Sequence, residues 1–575
     1  MEAGAQAEGR PSDPRLADLS EEFFQAMHSS DPFSATMLGV SGFDSLVPDP
    51  SVRGAEAGSL RFAAIEGRLA AIDPAGMSVG DRVNHAVLAA LAWGARTDLE
   101  HSLWEANASP AGYVSPQGLV FQSVPAAPLP DAAAVDGYLE RLKALPAYFD
   151  AVGERYREAT ARGRRSTRVG VLQAIEQLDG HLAQPLDADV LVRTRLPSAV
   201  DGTRLRSKIA ELVDSGVRPA ERRLRETLEQ ELLPRARSDD EVGICFVPGG
   251  EEGYRDAVRR HTTTRLTAAE IHQRGRDRIA ALEEEWSELG TTVLGVTHGN
   301  EVRRRLREDP SLRFHDAAEI VGMVGGALER AEVSRNRWFP SYQLPQCVIE
   351  EISPLEAGNA PLAYYRPPSA DGSRPAAHCV LTSSPEERFV YEYEALAFHE
   401  SSPGHHLQIA VAQGLTELPR YRRHLDAEAC AFIEGWGLYS ERLSDEMGLY
   451  SSDLQRLGML SFDALRAARL VVDTGMHHFG WSRQRAIDYL WENTATPRSN
   501  VENEIHRYIS WPGQALAYMV GCGEIRRLRE LGEQQLGSRF DIRGFHGAVL
   551  GSGAVPLGVL EGIVQRWIET LKVTG

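Results

Sequence analysis

Long apolar runs are missing from this chain. No stretch approaches the ~20 apolar residues that a membrane-spanning helix needs, and the opening segment MEAGAQAEGRPSDPR lacks both the basic start and the apolar centre of a secretion signal. These absences predict a cytoplasmic protein with no membrane partner. Positive charge is also scarce: 62 Lys+Arg stand against 81 Asp+Glu, for a net charge of -19 and an isoelectric point near 5.4. Basic clusters such as Arg303 to Arg305 are short and flanked by acids. Without a basic stripe to meet a phosphate backbone, nucleic acid is not an expected partner. The five cysteines, Cys245, Cys347, Cys379, Cys430 and Cys522, are scattered singly with no C-x-x-C pair. They predict buried thiols rather than disulfides or metal ligands. No fixed-period repeat is present.

What the chain does have is length and helical periodicity. Its 575 residues, 42% hydrophobic and 25% charged, suffice for several domain-sized cores or one large helical body. LADLSEEFFQAM, RFAAIEGRLAAI, AAAVDGYLERLKALPAYFDAVGERYREA and RLRSKIAELVDSGVRPAERRLRETLEQELL repeat apolar residues every three or four positions. Residues 1–14 are expected to be disordered, 15–340 to form a helical scaffold part, and 341–575 to carry the chemistry, all as one continuous body around a cleft. Between about Ser341 and Ser384 the texture changes. CVIEEI, LAYYR and HCVLTS are β-prone runs separated by PLEAGNAP and PPSADGSRP, which predicts a small antiparallel sheet. Ser384 and Glu387 then form a capping-box pattern around Pro385, predicting a helix that carries His399 and Glu400 near its far end. The fold class is therefore mainly α, with a small antiparallel sheet next to that helix.

The segment FHESSPGHHLQ, Phe398 to Gln408, concentrates three histidines and a glutamate. In the common H-E-x-x-H motif both histidines lie about 6 Å apart along one helix face and share an ion. Here position i+4 from His399 is Pro403, which has no ligating atom. His406 returns to within roughly 20° of His399 around an ideal helix but would lie about 10 Å further along. Pro403 and Gly404 can expel a loop that closes this gap. The segment thus reads as an interrupted metal motif, with His406 as the expected second ligand and His405, roughly 120° off in an ideal helix, as its competitor. A hydrolytic zinc site takes three protein ligands and leaves a position for water. AFIEGWGLYSERL offers Glu434 and Glu441. Glu434 follows an apolar run and points inward, where a carboxylate must be paired or metal-bound. Glu441 lies about 10 Å along the same face, too far to share an ion with it.

FHESSPGHHLQ, IEGWGLYSE, RAARLVVDTGMHHFGW, RYISWPGQALAYMVG and FHGAVLGSGAVPLGVLE, in that order, resemble the bacterial family called domain of unknown function 885, which is placed among the zincin-like metallopeptidases. The resemblance implies a large helical gluzincin-like body enclosing a zinc site, one ion per chain. The E-G-W segment is similar to the E-G-F segment that supplies the third zinc ligand in aminopeptidase N-type gluzincins, which favours Glu434. The ending HLQ at His406 is similar to H-E-x-G-H-I-Q and favours His406. Ala376, Thr382, Gly437 and His506 depart from the family pattern, which bears on substrate specificity.

These residue types define a reaction class. Zinc-polarised water needs a base, and Glu400, beside His399 but on another side of the helix, is the expected one. An oxyanion needs a further donor; candidates are His477, His478, Tyr508 and Tyr518. Arg466, Arg469 and Arg507 could bind a substrate carboxylate. Tyr364 and Tyr365 would lie on the sheet edge, where gluzincins pair an extended peptide. The leading expectation is a zinc-dependent hydrolase of short peptides or amides. The alternatives are the same centre turned to a dedicated small-molecule substrate, as hydrolase or lyase, or an inactive zinc-stabilised interaction protein. Retention of Glu400 argues against the last, because a structural site needs no base beside its ligand.

Overall fold

The computed structural model describes residues 13–112, 114–197, 202–352, 361–368, 374–423, 425 and 427–573. The N-terminal residues expected to be disordered lie almost wholly outside this range. The periodic segments fold as helices: Pro14–Ser30, Val52–Ala70, Ala132–Ala161, and Gly202–Leu212 continued through a π turn into Arg218–Thr227. The side chains of Asp13, Ser51 and Asp131 cap the first three of these by accepting backbone N–H bonds. Such caps satisfy donors that a helix start leaves free.

Contacts divide the chain into two compact units. One comprises residues 1–236 with 416–428, the other 237–415 with 429–575. The division expected at residue 340 falls inside the second unit. Every candidate site residue belongs to that unit.

The first unit buries a charged cluster within its apolar core. His181 is 7% exposed and lies between two carboxylates, with Nδ1 2.9 Å from Glu221 Oε2 and Nε2 3.2 Å from Asp189 Oδ1. Asp189 also accepts from Arg218 at 3.1 Å. Burial alone would depress the imidazole pKa, but the two carboxylates outweigh it and raise it to about 9. A histidine with a raised folded-state pKa contributes stability that is full below its unfolded value near 6.5 and is lost as pH rises through about 9. The contribution is about 3 kcal/mol, at 1.36 kcal/mol per unit. His181→Ala is therefore expected to destabilise the protein strongly at pH 6 and by about 3 kcal/mol less at pH 10, measured by urea denaturation at both pH values. A gap between variant and parent that is unchanged by pH would contradict this.

In the second unit three strands form one sheet: β1 (Cys347–Glu351), β2 (Ala363–Arg366) and β3 (Ala376–Val380), in the order β1-β3-β2. β2 and β3 are antiparallel, but β1 and β3 are parallel, so the expected antiparallel sheet is corrected to a mixed one. The β-prone runs and turn residues locate strands without stating their partners. Because β2 docks on the far side of β3, the chain leaving β1 crosses over before β3 runs beside it. Every residue of β3 is buried, as a central strand covered on both faces requires.

Helices surround the sheet and build the site: α1 (Ala268–Leu294), α2 (Ala317–Trp338), α3 (Tyr393–Glu400), α4 (His405–Gly414), α5 (Cys430–Glu446), α6 (Asp453–His477), α7 (Arg498–Ser510) and α8 (Ala517–Leu536). α6 runs against α1, α5 against α8, and α3 against α2, α5, α6 and β2. The helix expected to begin at Ser384 begins at Tyr393 instead. Ser384 has φ +51° and makes no side-chain cap. Between them only one 3-10 turn forms, Pro385–Glu387, after which the chain pairs with a distant segment: Val390 N–H donates to Leu312 O, Phe314 N–H donates to Arg388 O, and Phe389 bridges Arg313. A tertiary backbone pairing has displaced the local helix signal.

No helix among the described residues is long and apolar enough to cross a membrane.

Candidate metal centre

The site begins where α3 ends. Ser401 N–H closes the last turn onto Ala397 O, and His406 N–H bonds to Ser401 O as α4 starts. The helix is interrupted at Pro403 and Gly404, as the sequence predicts. Gly404 is required sterically, because a Cβ there would stand 1.9 Å from His399 O and 2.4 Å from Phe398 O. α5 clamps the excursion: Trp436 Nε1 and Ser440 Oγ both donate to Pro403 O, at 2.9 and 3.2 Å. Gly404→Ala is expected to cost about 1–3 kcal/mol, typical of forced overpacking, and to reduce metal retention, checked by thermal melting and elemental analysis. A variant with unchanged melting temperature and metal content would refute this role.

The interruption resets the helical phase, and this decides between the neighbouring histidines. His399, His405 and Glu434 bring their ligand atoms within 4.8 Å of one another. His399 Nε2 and His405 Nε2 lie 3.5 and 3.6 Å from Glu434 Oε2. Donors at ~2.0–2.1 Å from a tetrahedral ion stand about 3.3 Å apart, so this set could hold zinc with little adjustment. His405, and not the expected His406, is the histidine that converges with His399 and Glu434. His406 turns toward the sheet, where its Nδ1 is 3.2 Å from the Tyr365 hydroxyl, and burial depresses its pKa to about 4. Counting phase from His399 assumed one continuous helix axis, whereas α4 is a new helix with its own.

Glu441, set aside as a ligand, lies outside this cluster but supports it. Its Oε1 lies 2.8 Å from His399 Nδ1, which leaves Nε2 to face Glu434. A carboxylate behind a ligating imidazole fixes its tautomer and raises its basicity. The two-turn spacing of Glu434 and Glu441 in IEGWGLYSE was the available signal. Gly437 lets α5 come this close. A Cβ there would be 2.8 Å from His399 Cε1 and Nε2 and 3.1 Å from His405 Cε1. Burial raises the Glu434 pKa, but the neighbouring His399 and His405 rings outweigh it and hold the carboxyl well below its usual range. Burial likewise lowers His399, and its carboxylate partners more than compensate, raising it to about 9. The three groups form a charge-balanced cluster around a potential cation position.

Glu400 lies at the end of α3, half-buried, and its Oε2 accepts from Tyr365 N–H at 2.9 Å. Leu381 N–H donates to Leu362 O across the sheet, so by strand alternation the backbone groups of Ala363 and Tyr365 face away from β3, along the free edge of β2. That edge points at the base. The Tyr365 ring is beside His406. Tyr364 faces the other way and packs with Ile352, Ala377, Cys379 and Leu381. His378 on β3, which the sequence reading missed, holds Ser401 Oγ at 3.0 Å from its Nδ1.

Not every C-terminal candidate reaches the centre. His477 is fully buried; its Nδ1 accepts from Ile244 N–H at 3.1 Å, so its Nε2 carries the proton and donates to Tyr508 O at 2.9 Å. It pins backbone. His478 is exposed. The Tyr508 hydroxyl donates to Glu504 and accepts from Arg469 Nε at 2.6 Å, leaving it no free donor. Tyr518 is the remaining candidate: burial raises its pKa, and Glu434 raises it further, placing the phenol, protonated, within electrostatic reach of the ligand set. Arg466, Arg469 and Arg507 gather around Tyr518, Glu504 and Tyr508.

Two solved structures share this architecture. One, described as a "putative lipoprotein", is from Colwellia psychrerythraea, with 28% identity, a TM-score of 0.89, and coverage of 98% of this chain and 100% of that one. The other, described in the same words and as of unknown function, is from Shewanella oneidensis, with 17% identity, a TM-score of 0.74, and coverage of 96% and 99%; at that identity it shows the fold alone. No curated protein matches the chain. The cytoplasmic expectation is overturned by the first of these neighbours, since lipoproteins are membrane-anchored or secreted. Residues 32–564 match the family described as "Bacterial protein of unknown function (DUF885)", and the chain belongs to that family.

Proposed function

We propose that this protein is a zinc-dependent hydrolase of the gluzincin kind, cleaving a peptide or amide bond in short substrates. The observation that carries the reading is the convergence of His399, His405 and Glu434 at ion-sharing distances, with Glu400 next in sequence to the first ligand and directed at a free strand edge. Two imidazoles and one carboxylate form a three-ligand donor set of the catalytic type, which leaves a fourth position open. Zinc, held by His399, His405 and Glu434, would supply Lewis-acid polarisation of the scissile carbonyl and a lowered pKa for water.

The chain's own groups do the rest. Glu400 takes the proton of the attacking water and returns it to the leaving nitrogen. The outward backbone groups of Ala363 and the outward carbonyl of Tyr365, whose N–H is held by Glu400, offer hydrogen bonds to an extended peptide laid along β2. Tyr518, protonated and near Glu434, donates toward the developing oxyanion. Glu441 keeps His399 in the ligating tautomer.

Incubation of the zinc-loaded protein with a library of di- to tetrapeptides, followed by mass spectrometry, tests this reading. Chelator-sensitive cleavage is expected. A protein that binds zinc stoichiometrically and cleaves no peptide would redirect the centre to a non-peptide substrate, and one that binds no zinc would end the proposal.

A further inference from the structure

Hydrolysis at the metal centre, on which this inference rests, leaves one property of the site unused: an excess of buried positive charge beside it. Arg466 and Arg469 lie on successive turns of α6, and each is 6% exposed. Arg469 donates from Nε to the Tyr508 hydroxyl at 2.6 Å and from Nη2 to Glu504 at 2.8 Å. Arg507 shares the same Glu504 carboxylate at 3.2 Å. One carboxylate therefore serves two guanidiniums and is also hydrogen-bonded by Tyr508.

Arg466 has no such partner. Among the described residues, its Nε and Nη1 and the Nη1 of Arg469 are buried without a hydrogen bond. Its nearest carboxylate is Glu441, 3.9 Å from Nη2 and already committed to His399 at 2.8 Å. Glu392 lies within electrostatic range, but burial raises its pKa to about 7, so it offers only part of a charge. Both guanidiniums lie over the Tyr518 ring, Arg469 at 4.6 Å and Arg466 at 6.0 Å. A buried guanidinium lacking its hydrogen bonds is strongly unfavourable unless a ligand completes it.

We propose that Arg466 and Arg469 form a carboxylate pocket for the C-terminal end of a short peptide substrate, so that cleavage falls within about two residues of that end. Planar guanidiniums suit the two oxygens of a carboxylate. Arg466 Nη2 and His399 Nδ1 lie 3.9 and 2.8 Å from the same oxygen, Glu441 Oε1, so the guanidinium and the imidazole are no further apart than about two extended residues at ~3.3–3.6 Å each. The substrate class is thus a di- or tripeptide with a free C-terminus.

The test uses ligand binding and cleavage on the full chain. Thermal melting is measured with N-acetylalanine, with its C-terminal amide, and with N-acetylaspartic α-amide, whose only carboxylate is in the side chain. N-acetylalanine is expected to raise the melting temperature by about 2 °C or more at concentrations above its Kd, and the alaninamide is not. A shift with the aspartyl compound instead assigns the pocket to a side-chain carboxylate and overturns the C-terminal assignment. Arg466→Met is expected to abolish the shift without lowering the variant's own melting temperature, because it removes an uncompensated charge. A lower melting temperature with the acid preference intact marks Arg466 as structural and overturns the proposal, as do equal shifts by acid and amide. In the cleavage arm, the zinc-loaded enzyme is expected to prefer free-acid tripeptides to their amides by about 10²-fold in kcat/KM. Acid-selective binding without cleavage of any peptide would leave the pocket standing and remove the hydrolase reading; indiscriminate cleavage would do the reverse.

Discussion

Replacing Glu400 with glutamine is expected to lower turnover by about 10²- to 10⁴-fold while zinc stays bound. The amide keeps the size of the carboxylate and can still accept from Tyr365 N–H, now 2.9 Å from Oε2, so the local fold is preserved. It cannot accept a proton from water at neutral pH. Glu400 is also absent from the converging ligand set, which separates loss of the base from loss of the metal. The measurement pairs elemental analysis with kcat on whichever peptide the library identifies. Near-normal kcat in Glu400→Gln would remove this residue from the role and point to a different proton acceptor.

Metal content should respond to His405 and ignore His406. Parent protein is expected to carry about one zinc per chain, and His399→Ala, His405→Ala and Glu434→Ala to lose nearly all of it, because a catalytic set of three ligands has none to spare. His406→Ala should retain the ion, since that ring bonds to Tyr365 and lies outside the set. Glu441→Gln tests the layer behind the ligands: losing the carboxylate 2.8 Å from His399 Nδ1 is expected to weaken zinc binding by about 10- to 100-fold, as such outer partners usually do. Competition against a chelator of known affinity, read by inductively coupled plasma emission, gives both results. Full occupancy in His405→Ala with loss in His406→Ala would reverse the assignment.

Aspects carried by local chemistry were legible in the amino-acid order. The helices of the N-terminal region follow from three-to-four-residue apolar spacing and from capping residues such as Ser51 and Asp131, signals that act within a turn or two. The break between His399 and His405 was equally readable, because proline and glycine limit their own backbone wherever they occur. Glu434, an acid between an apolar run and Gly-Trp-Gly, could be picked out because a buried carboxylate demands a partner.

Tertiary packing decided the rest. The chain directions in the sheet depend on which side of β3 receives β2, and no residue of β1 encodes that by itself. The helix signalled at Ser384 stops after the single turn Pro385–Glu387, where the backbone pairs with residues near Leu312, a contact between segments far apart in sequence. His405 displaced His406 because four residues outside any helix, clamped by Trp436 and Ser440, rotate the start of α4 in a way ideal helical geometry cannot describe. His477 and Tyr508 resemble acid–base groups in one dimension, but in the fold their polar atoms are consumed by Ile244, Glu504 and Arg469. Sequence thus determined which groups were available and where the backbone must break. Which nitrogen faces which oxygen was set by the docking of α5 onto α3 and α4, because a difference of one residue in helical phase turns a side chain by about 100°, and only long-range packing supplies that precision.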